Sequence, residues 1–400
     1  MVRDYTGSVI LFDPVRQLAD PVISRVLMLL NQLQLSNFRN YSQKEFTFSP
    51  AFTVVVGPNT SGKTSLLEAL MLIATGRSFR AQREEEMIRK GEEVARTRAE
   101  LSDNQQSTIN PTSPRLRGAG NHQSDVLEVV LTTGTVLGKP APRKKFLINK
   151  ISKRSADFVG RMPAVLFWPE DLRLITGRPS RRRHYLDSVL SQVDHSYRRA
   201  MTAYEKALRI RNKLLHMRRE GMAIKADEFD YWTAALIAHG ATIHRARSDY
   251  LSFVNTVSLD HGDAPNFHVV YDHSTITPER LEQYHDAETA TGVTLVGPHR
   301  DDIIAEKSVK NDERWRLDSF GSRGEQRLGV LWLKRAELLF IEEKLSTKPL
   351  LLLDDIFSEL DAEHRSLVID LTKGQQTVIT TTDNQFLRSS KIANSLIHKL

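Results

Sequence analysis

Gly57, Gly62, Lys63 and Thr64 fall at the spacing G-x-x-x-x-G-K-[ST], inside the segment Gly57-Pro58-Asn59-Thr60-Ser61-Gly62-Lys63-Thr64-Ser65. The chemistry this spacing offers is phosphate binding. Backbone N–H groups of a glycine loop face the anion, Lys63 balances the β- and γ-phosphates of a nucleotide, and the Thr64 hydroxyl ligates magnesium. The elements needed to position such a loop flank it. Phe52-Thr-Val-Val-Val56 is a short β-branched run that reads as a buried strand, and Leu66, Leu67, Leu70 and Ile73 repeat at helical spacing. Strand, loop and helix in that order aim a helix N-terminus at the phosphates.

A second group of chemical residues lies near the other end of the chain. Pro349-Leu-Leu-Leu-Leu-Asp354-Asp355 is an apolar strand that ends in two carboxylates. An acid at that position holds magnesium in P-loop folds, so Asp354 is the expected magnesium acid and Asp355 the expected base that polarises the attacking water. Upstream, Ser322-Arg-Gly324-Glu-Gln326 opens a helix whose apolar positions run through Leu328, Leu331 and Leu339. A Ser-x-Gly-x-Gln turn at a helix N-terminus is a second anion site, suited to the γ-phosphate held by another copy of the chain. Thr380-Thr-Thr382, after a last strand Thr377–Thr381, offers a hydroxyl to the γ-phosphate or is a plain β-branched strand end.

The composition narrows the classes. In 400 residues, 56 Lys+Arg against 49 Asp+Glu give a net charge of +7, which suits a polyanionic partner. The absence of cysteine excludes disulfides, thiolate metal sites and cysteine nucleophiles. No apolar run reaches the ~18 residues of a membrane span, and Arg25 interrupts the apolar stretch 22–30. The expected location is therefore cytoplasmic, with the nucleoid.

Along the chain, regular patterning starts at Met28, a candidate start, with residues 1–27 an N-terminal extension. Leu29–Leu35 alternates as a half-buried strand; residues 102–124 are polar and Pro-rich, as in a mobile loop; Val126–Thr133 and Lys145–Ile148 read as antiparallel strands. From about Pro179 to Leu251 the spacing turns helical and arginine-dense. Strands return at Phe267–Tyr271 and Thr294–Val296, followed by a helix over Gly324–Lys344. Arg181, Arg182 and Arg183 are candidate DNA phosphate contacts; pairing with nearby acids to brace the head is the alternative.

With these residues in place the chain resembles the RecF family of bacterial DNA replication and repair ATPases, of the ABC/SMC-like class. The resemblance is carried by Leu35-Ser-Asn-Phe-Arg-Asn-Tyr41, the P-loop, Ala74-Thr-Gly-Arg-Ser-Phe-Arg80, Phe167-Trp-Pro-Glu-Asp-Leu172, Leu295-Val-Gly-Pro-His-Arg-Asp-Asp302, the Ser322–Gln326 turn and Leu351–Asp361. It implies an α/β fold: an ABC-type P-loop ATPase head, a mixed sheet with a central helix, plus an inserted mainly helical lobe. The expected division is 28–175 for the P-loop lobe, 176–265 for the helical lobe and 266–400 for the return to the ATPase core.

The resemblance further implies ATP contacts from Asn59 to Ser65, trans contacts at Ser322 and Gly324, and acids where ABC proteins carry a Q-loop glutamine. The implied activity is slow, DNA-dependent ATP hydrolysis with Mg2+. An ATP-dependent homodimer would hold duplex DNA at gap junctions without sequence preference. The implied partners are RecR and RecO, in recombinase loading and the SOS response, with no membrane. A transport ATPase subunit and an anti-phage ATPase head are the alternatives. The arginine-rich helical lobe argues against the first, and the short tail after Thr382 leaves no room for the nuclease domain of the second.

Overall fold

The computed structural model describes residues 28–103, 124–259, 266–309, 313–358, 360, 362–382 and 395–400. The expected N-terminal extension, all but residues 102, 103 and 124 of the expected mobile loop, and Glu359 and Asp361 lie outside them.

Thr135–Val136 and Lys139–Pro140 pair as a small hairpin, and among the described residues fourteen strands build the three larger sheets. In chain order they are β1 Met28–Phe38, β2 Tyr41–Thr47, β3 Phe52–Val56, β4 Val94–Asp103, β5 Asp125–Thr132, β6 Lys144–Ile148, β7 Ile151–Lys153, β8 Ala164–Phe167, β9 Phe267–Asp272, β10 Asp302–Ser308, β11 Arg314–Arg316, β12 Leu350–Asp354, β13 Thr377–Thr381 and β14 Leu396–Lys399. The main helices are α1 Lys63–Thr75, α2 Pro179–Val193, α3 His195–Arg219, α4 Ala226–Val254, α5 Arg323–Leu345 and α6 Ala362–Leu371.

The first sheet is antiparallel, ordered β2-β1-β4-β5-β6-β7, and the second is parallel, ordered β8-β12-β13-β3-β14. The expected mixed sheet is thus two sheets, and α1 is the central helix between them. That position explains its sequence: Leu66, Leu67, Leu70, Leu72, Ile73 and Ala74 are all fully buried, against β1, β4 and β5 on one side and the parallel sheet on the other. A helix buried all round reads as continuously apolar.

The parallel sheet positions the site. β13 lies between β3 and β12, with Thr381 opposite Val56 and Thr380 opposite Asp354. The phosphate loop and the acidic strand end therefore emerge side by side at the carboxyl edge, the usual ligand edge of a parallel sheet. β14, on the far side of β3, is an additional strand beyond the one expected to be last.

The helices α2 to α4 form the helical lobe, but its core does not end at residue 265. Phe267, Val269, Val296, Ile303 and Leu317, with Val330, Trp332, Ala336 and Phe340 of α5, pack with Tyr185, Tyr204, Ile243 and Tyr250 in one apolar cluster. The return to the ATPase sheets comes at β12. Only the other face of α5, through Leu331, Leu338 and Ile341, joins the cluster around Val54, Leu351 and Ile379.

Thr294–Val296 is not a strand. The Thr294 N–H donates to the Asn212 side chain at 2.8 Å and the Leu295 N–H to the Glu288 carboxylate at 2.8 Å, so side chains take the donors a strand would have used. Gly297 follows at φ 129°, a conformation glycine reaches and β-branched residues avoid.

Candidate functional site

The Thr64 hydroxyl donates to Asp354 Oδ2 at 2.9 Å across 290 residues of sequence. The other carboxylate oxygen, Oδ1, accepts from the Thr380 hydroxyl at 2.7 Å. Thr380 is fully buried and turned to Asp354, so its hydroxyl holds the acid in place; of the two readings left open for Thr380–Thr382, the γ-phosphate contact does not apply to Thr380. Asp355 adopts φ 47°, with its N–H on the Thr380 carbonyl at 3.1 Å. The left-handed conformation turns the chain sharply, and both acids line the same cavity.

That cavity is about 700 Å³ and is walled by Asn59, Thr60, Gly62, Lys63, Thr64 and Ser65 of the loop. Lys63 is buried and donates to the Gly57 and Pro58 carbonyls at 2.7 and 3.0 Å, which curls the loop around its ammonium. Gly62 is required twice over. Its φ is 111°, and a Cβ there would stand 2.5 Å from the Tyr41 hydroxyl. Asn40 donates to the Ser61 carbonyl at 3.2 Å and so braces the loop from the β1–β2 turn.

Among the described residues, the Ser61 and Tyr41 hydroxyls are buried beside the loop without a hydrogen-bond partner. Two orphaned hydroxyls next to a loop of amides and a lysine fit a phosphate group. A threonine hydroxyl and one carboxylate form a small all-oxygen donor set, which fits magnesium, an ion that keeps waters and phosphate oxygens as its other ligands. Among the described residues no larger cluster of metal-ligating side chains exists.

Sequence reasoning missed the basic wall of the cavity, Arg39, Arg80 and Lys90. Arg39 and Arg80 are both held by Glu68 on α1: Arg39 by two bonds at 2.7 and 2.6 Å, Arg80 by two at 3.0 and 2.8 Å, with the Ser78 hydroxyl at 2.6 Å. Burial works against the Glu68 charge, but its bonds to Arg39, Arg80 and Ser78 outweigh it and hold the carboxyl below its usual range. The available signal was Glu68 itself, a lone acid inside the apolar run Leu66–Ile73.

Ser322 caps α5. Its hydroxyl accepts from the Glu325 N–H at 3.3 Å, and Glu325 accepts from the Ser322 N–H at 2.7 Å. Ser322 is exposed, Gly324 has open space beside it, and neither lines the chain's own phosphate cavity. Gln326 differs from expectation: it is buried, and its amide donates to the Leu317 and Gly321 carbonyls at 3.0 and 3.2 Å. It braces the turn from inside, so the first turn of α5 presents Ser322 and Gly324 without it.

The expected DNA contacts at Arg181–Arg183 are already paired. Arg182 forms a fork with Asp302 at 2.6 and 2.7 Å, Arg183 donates to the Asp301 carbonyl at 2.7 Å, and Arg181 bonds Glu170 at 2.8 Å over the Trp168 ring. They tie α2 to the Gly297–Asp302 turn and to the Pro169–Asp171 turn. In that second turn Asp171 accepts from the Trp168 N–H at 3.0 Å and faces buried Lys334 of α5, while Pro169 reaches the phosphate cavity.

The Gly297–Asp302 segment is architectural. His299 Nδ1 accepts from the Tyr204 hydroxyl at 2.7 Å and Nε2 donates to the Thr294 carbonyl at 3.0 Å. Burial, aided by Arg300 and Arg183, pushes its pKa down to about 4 against the Thr294 bond. As pH falls below 6.5 the unfolded chain takes up a proton that folded His299 refuses until about 4. Stability present above 6.5 is therefore lost toward 4, by at most roughly 3 kcal/mol. His299→Gln should flatten that part of a urea-midpoint series across pH 7 to 4; an unchanged slope would remove the role.

The parallel-sheet nucleotide edge, the central helix and the capped turn of α5 define the class: a P-loop ATPase head of the ABC/SMC type. The family model for the RecF/RecN/SMC N terminal domain matches residues 29–398. The chain is 34% identical over 381 residues to the DNA replication and repair protein RecF of Herpetosiphon aurantiacus, covering 89% of this chain and 94% of that one. It is 34% identical over 390 residues to RecF of Roseiflexus castenholzii, covering 89% and 93%. Among solved structures it is similar to the recombination mediator protein RecF-ATPrS of the RecFOR pathway. That match has a TM-score of 0.77 and 26% identity and covers 94% and 96% of the two chains. The RecF-ATP structure gives 0.76 and 27%, covering 90% and 93%. The chain belongs to the RecF family. No helix among the described residues is long and apolar enough to cross a membrane.

Proposed function

We propose that this chain is an ATP-dependent DNA-binding protein of recombinational gap repair and replication, in which ATP binding joins two copies around duplex DNA. The observation that carries the reading is the 2.9 Å bond between Thr64 and Asp354, which brings the two halves of a phosphate–magnesium site together in a chain of the RecF family. Solved relatives described as RecF-ATP and RecF-ATPrS support ATP as the nucleotide.

In this reading the loop amides from Asn59 to Ser65 and Lys63 bind the triphosphate, while Thr64 and Asp354 hold magnesium, which when bound neutralises phosphate charge. Asp355 sits beside Asp354 at the cavity wall and orients and deprotonates the attacking water. Hydrolysis is slow and resets the switch. Ser322 and Gly324 meet the γ-phosphate of the partner: Ser322 is exposed, Gly324 has open space beside it, both stand apart from their own cavity, and a capping serine that accepts one bond still has its proton to donate. RecR and RecO are the proposed partners at gaps, in recombinase loading and SOS induction, as the RecFOR description of the solved relatives supports.

The test is light scattering with ATP, ADP and no nucleotide, alongside duplex binding across a salt series. ATP alone should double the mass and strengthen duplex binding. Ser322→Arg should keep ATP binding but lose the ATP-driven doubling. A monomer in ATP, or a Ser322→Arg variant that pairs normally, would rule out the composite site.

A further inference from the structure

We infer that the duplex-binding surface of the helical lobe is a row of four cations on α3: Arg199, Lys206, Arg209 and Lys213. The inference rests on the DNA-binding reading above and adds the place where the duplex is held. Its spacings of seven, three and four residues keep the row on one side of the helix. All four side chains are exposed, and among the described residues none of them has an ion-pair partner.

That lack of ion-pair partners separates the row from Arg181–Arg183 and from Arg96 and Arg98. Arg181, Arg182 and Arg183 are consumed by Glu170, Asp302 and the Asp301 carbonyl. On the outer face of the antiparallel sheet, Arg96 pairs with Glu128 at 2.9 Å and Arg98 with Glu100 at 2.8 Å. Glu205 on α3 pairs with Arg77 at 3.1 Å, and Glu220 at its end with His216 at 3.1 Å. Like charges three and four residues apart repel, so the row weakens its own helix unless an anion covers it.

Shape selects the anion. The opposite face of α3 is buried against α4 through Tyr197, Ala200, Tyr204 and Ala207, so the row stands on a rigid two-helix support. A helix that lies on a lipid surface needs its apolar face free for the bilayer, and this one is already covered. From Arg199 to Lys213 the row is about 21 Å long at ~1.5 Å per residue. That length bridges the phosphate rims of a major groove ~12 Å wide. The Lys206 ammonium lies 5.4 Å from the centroid of the Trp232 ring of α4, a cation–π contact that restricts the side chain while leaving it exposed. Without a base-reading group in the row, the contacts position the duplex and carry no sequence preference.

The experiment compares the full-length protein with a variant carrying Arg199→Gln, Lys206→Gln, Arg209→Gln and Lys213→Gln, and with Arg96→Gln as a paired-arginine control. Duplex affinity in ATP is measured from ~50 to ~200 mM salt, over which phosphate contacts dominate binding. The four-site variant should still double its mass in ATP and unfold at the same temperature or slightly above. Its affinity should fall at least tenfold at the low-salt end, and its salt slope should fall by roughly 0.9 for each phosphate it no longer neutralises. Arg96→Gln should match wild type. If the four-site variant keeps wild-type affinity and slope, the row is not the DNA surface, although the clamp reading stands. If wild type shows no salt-dependent duplex binding in ATP, that reading falls and takes this inference with it.

Discussion

Lys63→Met is expected to weaken ATP binding by at least ~100-fold while leaving the head folded. The loss is electrostatic. A hydrogen bond to a charged group contributes about 1.5–3 kcal/mol, and the ammonium is the only full positive charge inside the loop Gly57–Ser65. The side chain is also buried, 6% exposed, so water cannot replace it cheaply. The fold tolerates the change because Met supplies a stem of similar length, and only two loop carbonyls, of Gly57 and Pro58, are deprived of a donor. The measurement is a calorimetric titration with ATP and Mg2+, paired with thermal melts. Wild type should melt higher with ATP than without, whereas the variant should melt near the nucleotide-free wild type in both conditions. Unchanged affinity would mean that the loop holds its ligand by amides alone.

What the sequence made legible and what it hid divide along physical lines. The phosphate loop, β3, α1 and the acid pair at Asp354 and Asp355 were readable because glycine spacing and apolar periodicity are local properties. The 2.9 Å meeting of Thr64 and Asp354 followed from the order of strands in a parallel sheet, which motif combination could suggest. Long-range consumption of charge was hidden. Arg182 lies 120 residues from Asp302, and nothing local distinguishes an arginine that will meet a carboxylate from one that will meet solvent. The same blindness let Gln326 pass as part of an anion site when its amide is spent on two backbone carbonyls. Thr294–Val296 was misread for a related reason: β-branched residues suggest a strand, yet Asn212 and Glu288 had taken the N–H groups. Local pattern finds the phosphate loop and the acidic strand end; only the tertiary pairing shows which charges are already spent.

The largest loss of stability is expected from Arg247→Met. Arg247 is 2% exposed and anchors four groups: Asp301 Oδ2 at 2.8 Å, Asp187 Oδ1 at 2.8 Å, the Pro298 carbonyl at 2.7 Å and the Tyr197 hydroxyl at 3.3 Å. Burial disfavours its charge, but Tyr197, Asp187 and Asp301 hold the guanidinium protonated well beyond its ordinary range. Removing it strands Asp301, a carboxylate 1% exposed that also ties Tyr271 and the Ser274 N–H to the turn. Stranding one partner of a buried pair costs about 3–5 kcal/mol. Urea unfolding of wild type, Arg247→Met, Asp301→Asn and the double variant closes a cycle in which the double variant should be less damaged than the sum of the singles. Additivity of the single variants would show that the turn is held by packing. It would also mean that α2, α4 and the Gly297–Asp302 segment need no ionic latch to position α5 and its exposed Ser322.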